Sequence, residues 1–305
     1  MILAVVETNH LDTIPATNEC NFNLKNKNMK TILFPTDFSK NAAHAARYAG
    51  MLAKLYDANL VLLHVHHIPM VPQSNHSFEV RNAISLNEKG AKADLEIFAK
   101  KFIHDSNLPA DRITHRVEYG FAAEKIVEIA NDIKADMIVM GTKGASDMLD
   151  KWLGTHAQEV IKTAKCPVFT IPKNVAIEYP QRILYAADFK KTEIIVVEKL
   201  LSLAKPLGAS CKVVHIHDYF EPNIGHIIEE TIKELEERFK NEDISIQQFH
   251  RAEIIEGLET YIKTYKPDVL AMAIHEKSFL DNLFDTSITK HFIQEAKLPM
   301  LTFKK

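Results

Sequence analysis

Ala135-Asp136-Met137-Ile138-Val139-Met140 runs directly into Gly141-Thr142-Lys143-Gly144, and Gly154-Thr155 follows ten positions on. The chain holds only 9 glycines in 305 residues, fewer than the usual share of about 7%. Three of them within fourteen positions therefore mark a backbone requirement. Glycine serves where the chain needs positive φ or where another group must approach closely. An apolar run, a Gly-rich turn and a helix start, in that order, read as a buried strand whose end leaves N–H groups aimed at one point. Such a point attracts phosphate.

The stretches around this one alternate strand and helix. Thr31-Ile32-Leu33-Phe34 is an apolar strand stopped at Pro35, and Thr36-Asp37-Phe38-Ser39 follows it. Ser39 is an N-cap for a helix with the apolar face Ala42, Ala46, Ala49, Leu52 and Ala53. Leu60 to Val65 is the second strand, and residues 68–84, with Pro69 and Pro72, read as a loop. A helix is predicted from Ser85 to His104 with Leu86, Ala93, Ile97 and Phe98 inward. Ile113 to Tyr119, Ala135 to Met140 and Val168 to Ile171 are further strands; Ala122 to Lys134 and Thr155 to Ala164 are further helices. Strands that are apolar on both faces and alternate with helices imply a parallel sheet covered on both sides. Ligands of such sheets bind beyond the carboxyl ends of the strands, where strand order reverses.

The pattern then starts again. Arg182 to Phe189 echoes Thr31 to Phe38, with Asp188 lying 151 positions after Asp37, and His215-Ile216-His217 echoes His64-Val65-His66. Farther on the offset is 132, pairing Asp136 with Asp268, Lys165 with Lys297 and Pro167 with Pro299. The second copy is thus a shortened duplicate, which divides the chain into an arm at 1–28, a first domain at 29–173 and a second at 181–305. The arm has no hydrophobic period and is Asn-rich from Asn18 to Asn28, so it is expected to be disordered, with Met29 a candidate natural start. Two related domains in one chain are expected to pack about a pseudo-two-fold axis, as an intramolecular pseudo-dimer. Homodimerisation of the whole chain is a further option.

Net charge is -3, which gives no reason to expect nucleic acid or an acidic membrane as partner. No apolar run approaches the roughly 18 residues that cross a bilayer, and the first residues lack the basic flank of a secretion signal. Cys20, Cys166 and Cys211 are odd in number and lack metal-ligand spacing, as expected of reduced thiols in a cytoplasm. Cys166 and Cys211 start apolar strands and are expected to pack there.

The spacing Gly141-x2-Gly144-x9-Gly154-Thr155 resembles the ATP-binding motif of the universal stress protein family. Phe34-Pro35-Thr36-Asp37-Phe38-Ser39 and Leu62-Leu63-His64-Val65 are also similar to that family, and the resemblance covers residues 30 to 305 as a tandem pair. It implies an α/β fold of two such domains, adenine nucleotide alpha hydrolase-like, each with a five-stranded parallel sheet of order 3-2-1-4-5 and helices on both faces. It also implies a site for ATP, with Mg2+ able to accompany the phosphates. Asp37 would take the adenosine part, with Pro35 lining that side, and Val65 would meet the adenine ring through its backbone. Met140, Gly141 and Gly144 would carry the turn around ribose and phosphates. Gly154, Thr155 and His156 would offer N–H groups and a hydroxyl to the phosphates. His156 departs from the small apolar residue expected there, which bears on its side chain alone.

Plainer roles stand beside these. Thr155 and Gln158 form a Thr-x-x-Gln capping box, Asp37 could cap the first helix, and the glycines could serve a turn without ligand. Lys143 and Lys151 could neutralise phosphate but read equally as solvated side chains. The repeated His-x-His at a strand end places two imidazoles on one face, as a metal pair would; no third ligand is evident, and no metal is expected.

In the second copy, Gly141, Gly144 and Gly154 become Ala273, Glu276 and Thr286, Thr155 becomes Ser287, and Asp285 replaces Leu153. Carboxylates there would repel phosphate, so one ATP per chain is expected, in the first domain. No P-loop, Gly-x-Ser-x-Gly elbow or His-Glu-x-x-His is present, so at most slow ATP hydrolysis is expected. The reading is therefore a cytoplasmic stress-response protein that uses ATP as a regulatory ligand and acts on an unidentified protein partner. Its rivals are a partner-binding protein with vestigial sites and an alpha-hydrolase or adenylyl-transfer enzyme.

Overall fold

Ile32, Leu33 and Phe34 are completely buried in β1 (Thr31–Pro35), because this strand is the middle of a sheet with helices on both faces. The computed structural model describes residues 29–66, 78–142, 154–189, 193–217, 225–250, 253–274, 291–292 and 298–305. The expected arm at 1–28 lies outside the described residues. So do Lys143, Gly144 and Lys151, and, in the second copy, Glu276, Asp285, Thr286 and Ser287.

After β1 come α1 (Lys40–Tyr56), β2 (Asn59–His66), α2 (Phe78–Ser106), β3 (Ile113–Tyr119), α3 (Ala122–Asp132), β4 (Met137–Gly141), α4 (Thr155–Thr163) and β5 (Val168–Ile171). The second half holds β6 (Arg182–Ala186), α5 (Glu193–Leu207), β7 (Ser210–His217), α6 (Gly225–Arg238), β8 (Ile244–His250), α7 (Ile254–Tyr265), β9 (Val269–Ile274) and β10 (Met300–Lys304). The strands form one ten-stranded sheet of order β3-β2-β1-β4-β5-β10-β9-β6-β7-β8. Each half has the order 3-2-1-4-5. All pairings are parallel except β5 with β10, which is antiparallel and joins the halves.

The duplication extends to register. Ile32 faces Met137 and Ile183 faces Val269; Ile138 faces Val168 and Leu270 faces Met300. At the third strand of each half the offset is 131, since Leu60 pairs with Ile113 and Cys211 with Ile244. The second copy therefore carries one residue more between β8 and α7 than the first does between β3 and α3. Asp136 Oδ2 accepts the N–H groups of Lys30 and Thr31 at 2.8 and 3.0 Å, and Asp268 Oδ2 accepts those of Gln181 and Arg182, both at 2.9 Å. Each aspartate so pins the start of the central strand of its half. At the seam, Thr302 Oγ1 donates to the Val168 carbonyl at 3.2 Å and Thr170 Oγ1 to the Met300 carbonyl at 3.5 Å, the same bond made from both sides. Tyr56 on α1 adds a hydrogen bond of 2.6 Å to the Leu203 carbonyl on α5.

Ser39 caps α1 as expected, its Oγ accepting the Ala42 N–H at 3.1 Å, and the alanine face of that helix is buried. Two expectations need correction. The predicted loop at 68–84 overlaps α2, which starts at Phe78, and the inward face of this helix is Ala91, Leu95, Ala99 and Phe102. Ala93 is exposed, Ile97 is 66% exposed and Phe98 is half-buried. The buried stripe is set by α1, where Gly50 leaves the room: a Cβ there would stand 2.9 Å from Phe102 Cζ. Second, α4 begins at Thr155 with Gly154 as its N-cap and no side-chain cap. Thr155 sits one position too far into the helix for the capping box, and the Gln158 N–H bonds to the Gly154 carbonyl at 3.1 Å.

Candidate functional site

The carboxyl end of β1 is shaped by one histidine. His64 Nδ1 lies 2.8 Å from the Thr36 carbonyl; a carbonyl only accepts, so Nδ1 carries the proton. Phe38 stacks on the same ring, centroids 4.4 Å apart at 28°. Phe38 adopts φ 63°, an uncommon conformation for a bulky residue. It is held there by that stack and by its N–H bond to Thr36 Oγ1 at 3.1 Å. The turn brings Asp37 to the surface, where its Oδ1 accepts the Ser39 N–H at 3.0 Å. Capping of α1 belongs to Ser39, so Asp37 is an exposed carboxylate at the edge of the crevice. The second copy repeats the device: His215 Nδ1 lies 2.7 Å from the Ala187 carbonyl, and Phe189 has φ 48° against the His215 ring.

Alternation along the strand gives His64 and His66 the spacing of a metal pair, although no metal is expected of them. The rings of His64 and His66 are 6.1 Å apart and tilted, and among the described residues no three His, Cys, Asp or Glu side chains stand together. His64 instead ties the β1 loop to β2.

At the end of β4, Met140 is buried and Gly141 half-buried. A Cβ on Gly141 would stand 3.0 Å from Asn41 Nδ2, in the first turn of α1. The glycine is therefore needed for close approach of helix and strand end. Thr142 is buried, its N–H bonding to the Ile171 carbonyl at 3.2 Å. Its own carbonyl accepts the Gly154 N–H at 2.7 Å, which clamps the two ends of residues 142–154 together. Beyond the clamp α4 begins, with Thr155 and His156 exposed. The N–H groups of this first turn carry the positive end of the helix dipole.

Pro35 and Asp37 on the β1 side, Val65 on β2, Met140 and Gly141 on β4, and Gly154, Thr155 and His156 at α4 all lie at the carboxyl edge of β2-β1-β4. Here strand order reverses, β1 continuing towards β2 and β4 towards β5. An exposed carboxylate, a bare backbone and a helix N-terminus along one crevice suit a polar ligand that carries donor groups at one end and phosphate at the other. Sequence reading missed Asn41, Thr36 and the Phe38–His64 stack. The recurrence of Phe38 and His64 at Phe189 and His215, both 151 positions on, was the signal for the stack.

Cys20 lies outside the described residues, and of the other two thiols Cys211 alone is buried as expected, Cys166 standing ahead of β5. Cys211 is buried and Cys166 half-buried, and burial pushes their thiols up to about 12 and about 11. Among the described residues no helix is long and apolar enough to cross a membrane.

A doubly wound sheet used twice, with the strand order reversing in each half, defines a tandem α/β protein. The universal stress protein family model matches residues 28–172 and again 180–304, and the chain belongs to this family. It is 35% identical over 146 residues to universal stress protein MJ0531 of Methanocaldococcus jannaschii, covering 47% of this chain and 82% of that protein. It is 28% identical over 145 residues to universal stress protein Sll1654 of Synechocystis, covering 47% and 85%. Each of these relatives thus matches about one half of the duplicate. A universal stress protein of Archaeoglobus fulgidus of solved structure matches both halves, covering 90% of this chain and 98% of that one at a TM-score of 0.65 and 18% identity. That likeness is one of fold.

Proposed function

We propose that this chain is a cytoplasmic stress-response protein that binds one ATP, in the crevice of the first domain, as a regulatory ligand. The observation that carries the reading is the clamp between Thr142 and Gly154. It sets the N-terminus of α4 beside the bare Gly141 backbone and across the strand-order reversal from Asp37. Asp37 and Pro35 take the adenosine side and Val65 the adenine ring. Met140, Gly141 and Gly144 pass around the ribose and phosphates, and Thr155 and His156 face the phosphates; Gly154, whose N–H is taken by the Thr142 carbonyl and is not offered to phosphate, sets where α4 begins.

Regulation requires that ATP bind two states of the molecule with different affinity. The sequence carries no P-loop, nucleophile elbow or zincin motif, so the site is read as a binding seat. Phosphate chemistry there would be no faster than slow hydrolysis.

Titration calorimetry of wild type and Gly144→Glu, which copies Glu276 of the second domain into the first, tests the reading. Wild type is expected to bind one ATP per chain, and the variant to bind more than tenfold more weakly, about 1.4 kcal/mol or more, without unfolding. Mass spectrometry of ligand retained through purification should find adenine nucleotide. No binding in either experiment would leave a partner-binding protein with vestigial sites, and steady release of AMP and pyrophosphate would leave an enzyme.

A further inference from the structure

The second domain keeps the aspartate of the first, Asp188 for Asp37, yet its surroundings are different. Lys305, directly after β10, points inward, its side chain only 2% exposed. Its ammonium bonds to Asp188 Oδ1 and lies 2.6 Å from Glu193 Oε2. Glu193 opens α5 and is fully buried, and Tyr185 on β6 donates its hydroxyl to Glu193 Oε1. The Lys305 N–H is fixed to the Ile274 carbonyl on β9 at 2.9 Å. Four side chains from β6, the loop after it, α5 and the end of β10 thus form one ionic cluster.

Comparison with the first domain isolates the cause. The residues equivalent to Tyr185, Asp188, Glu193 and Lys305 are Phe34, Asp37, Ala42 and Lys173. Lysine and aspartate are present in both copies; the buried carboxylate and its tyrosine are present in the second alone. In the first domain, with alanine and phenylalanine there, Lys173 and Asp37 are both exposed. A buried carboxylate needs a partner of opposite charge, and among the described residues Lys305 supplies it.

We propose that Lys305 is a resident occupant of the second domain's ligand seat, drawn in by Glu193 and closing Asp188 to any outside ligand. The seat is filled from within by a buried ammonium where the first domain has an exposed carboxylate. Lys305 and Glu193 are then the residues that make the pair of domains functionally unequal. That Asp188 descends from a ligand anchor rests on the reading of the first domain; the inward, protected state of Lys305 does not.

Acylation of lysines on the native full chain by an amine-reactive ester, followed residue by residue by mass spectrometry, tests this directly. In wild type Lys305 should be modified at least about tenfold more slowly than Lys173, since reaction awaits local opening. Glu193→Ala, the residue of the first domain, should raise the Lys305 rate to near that of Lys173, and Glu193→Gln, which keeps the bulk should alanine not fold, should raise it partway. Added ATP should leave Lys305 protection unchanged. Equal rates for Lys173 and Lys305 in wild type would overturn the proposal, as would protection that survives in both variants or that ATP alters. Absence of ATP binding by the first domain would leave the labelling pattern of the second as it is, so the two readings fail separately.

Discussion

The Gly154 N–H meets the Thr142 carbonyl at 2.7 Å, across a gap of twelve positions in sequence. Gly154 has φ -59° and ψ 148°, a conformation open to any residue. Gly154→Ala keeps the N–H and the clamp, so stability should stay within about 1 kcal/mol of wild type in urea titrations. Under the proposed function ATP affinity should fall, because a methyl would be added at the start of α4, the end proposed for the phosphates. Equal ATP binding by the variant would remove Gly154 from the site.

Gly141 behaves differently. The 3.0 Å approach of Asn41 Nδ2 means that Gly141→Ala must push the Asn41 side-chain amide aside, while the Asn41 carbonyl at 3.5 Å stays in ordinary contact. A loss of about 1–3 kcal/mol is expected, and the double variant with Asn41→Ala should recover part of it. Additive losses in a double-mutant cycle would show that the two residues are not in contact.

Asp136 and Asp268 each accept two backbone N–H groups at the start of a central strand. Asp136→Ala and Asp268→Ala should each cost about 1–3 kcal/mol through donors left unpaired. Chemical denaturation of the two variants should give similar midpoints, since each carboxylate holds the same two N–H groups and the added Arg182–Asp268 pair is a surface one worth little.

Burial pushes the Glu193 carboxyl up to about 7 against the pull of Lys305, with Asp188 adding to the rise. The groups that face it are Tyr185 from β6, Asp188 from the following loop and Lys305 from the end of β10. A carboxyl raised above its ordinary 4.5 holds its proton more firmly in the folded state. Its contribution to stability is therefore full below about 4.5 and is lost as pH rises to about 7. Lys305→Met leaves the buried carboxylate without its cation and should cost about 3–5 kcal/mol at pH 8. The loss should shrink at pH 6, where Glu193 takes up a proton. Thermal melts at the two pH values check the sign: a loss that is equal or larger at pH 6 would contradict it.

The local signals in the chain had short-range causes. Apolar runs on both faces marked the strands, Ser39 marked the start of α1, and the offsets of 151 and 132 placed the second domain on the first with its register intact. The order 3-2-1-4-5 came with the family resemblance. The α2 face failed because several apolar residues of that helix could have formed the stripe. The choice was made by the space that Gly50 leaves for Phe102.

By itself, then, the sequence determined a duplicated α/β scaffold and the place along it where backbone lies bare, since hydrophobic period and glycine scarcity are written residue by residue. Tertiary structure alone decided which of the two carboxylates is held by a buried ammonium. Lys305 and Asp188 stand 117 positions apart, and so did not pair in any local pattern. Only the antiparallel joining of β5 to β10 and the burial of Glu193 bring an ammonium to one aspartate and leave the other at the surface. The physical reason is that charge burial depends on neighbours brought together by packing, whereas strand and helix depend on neighbours in the chain.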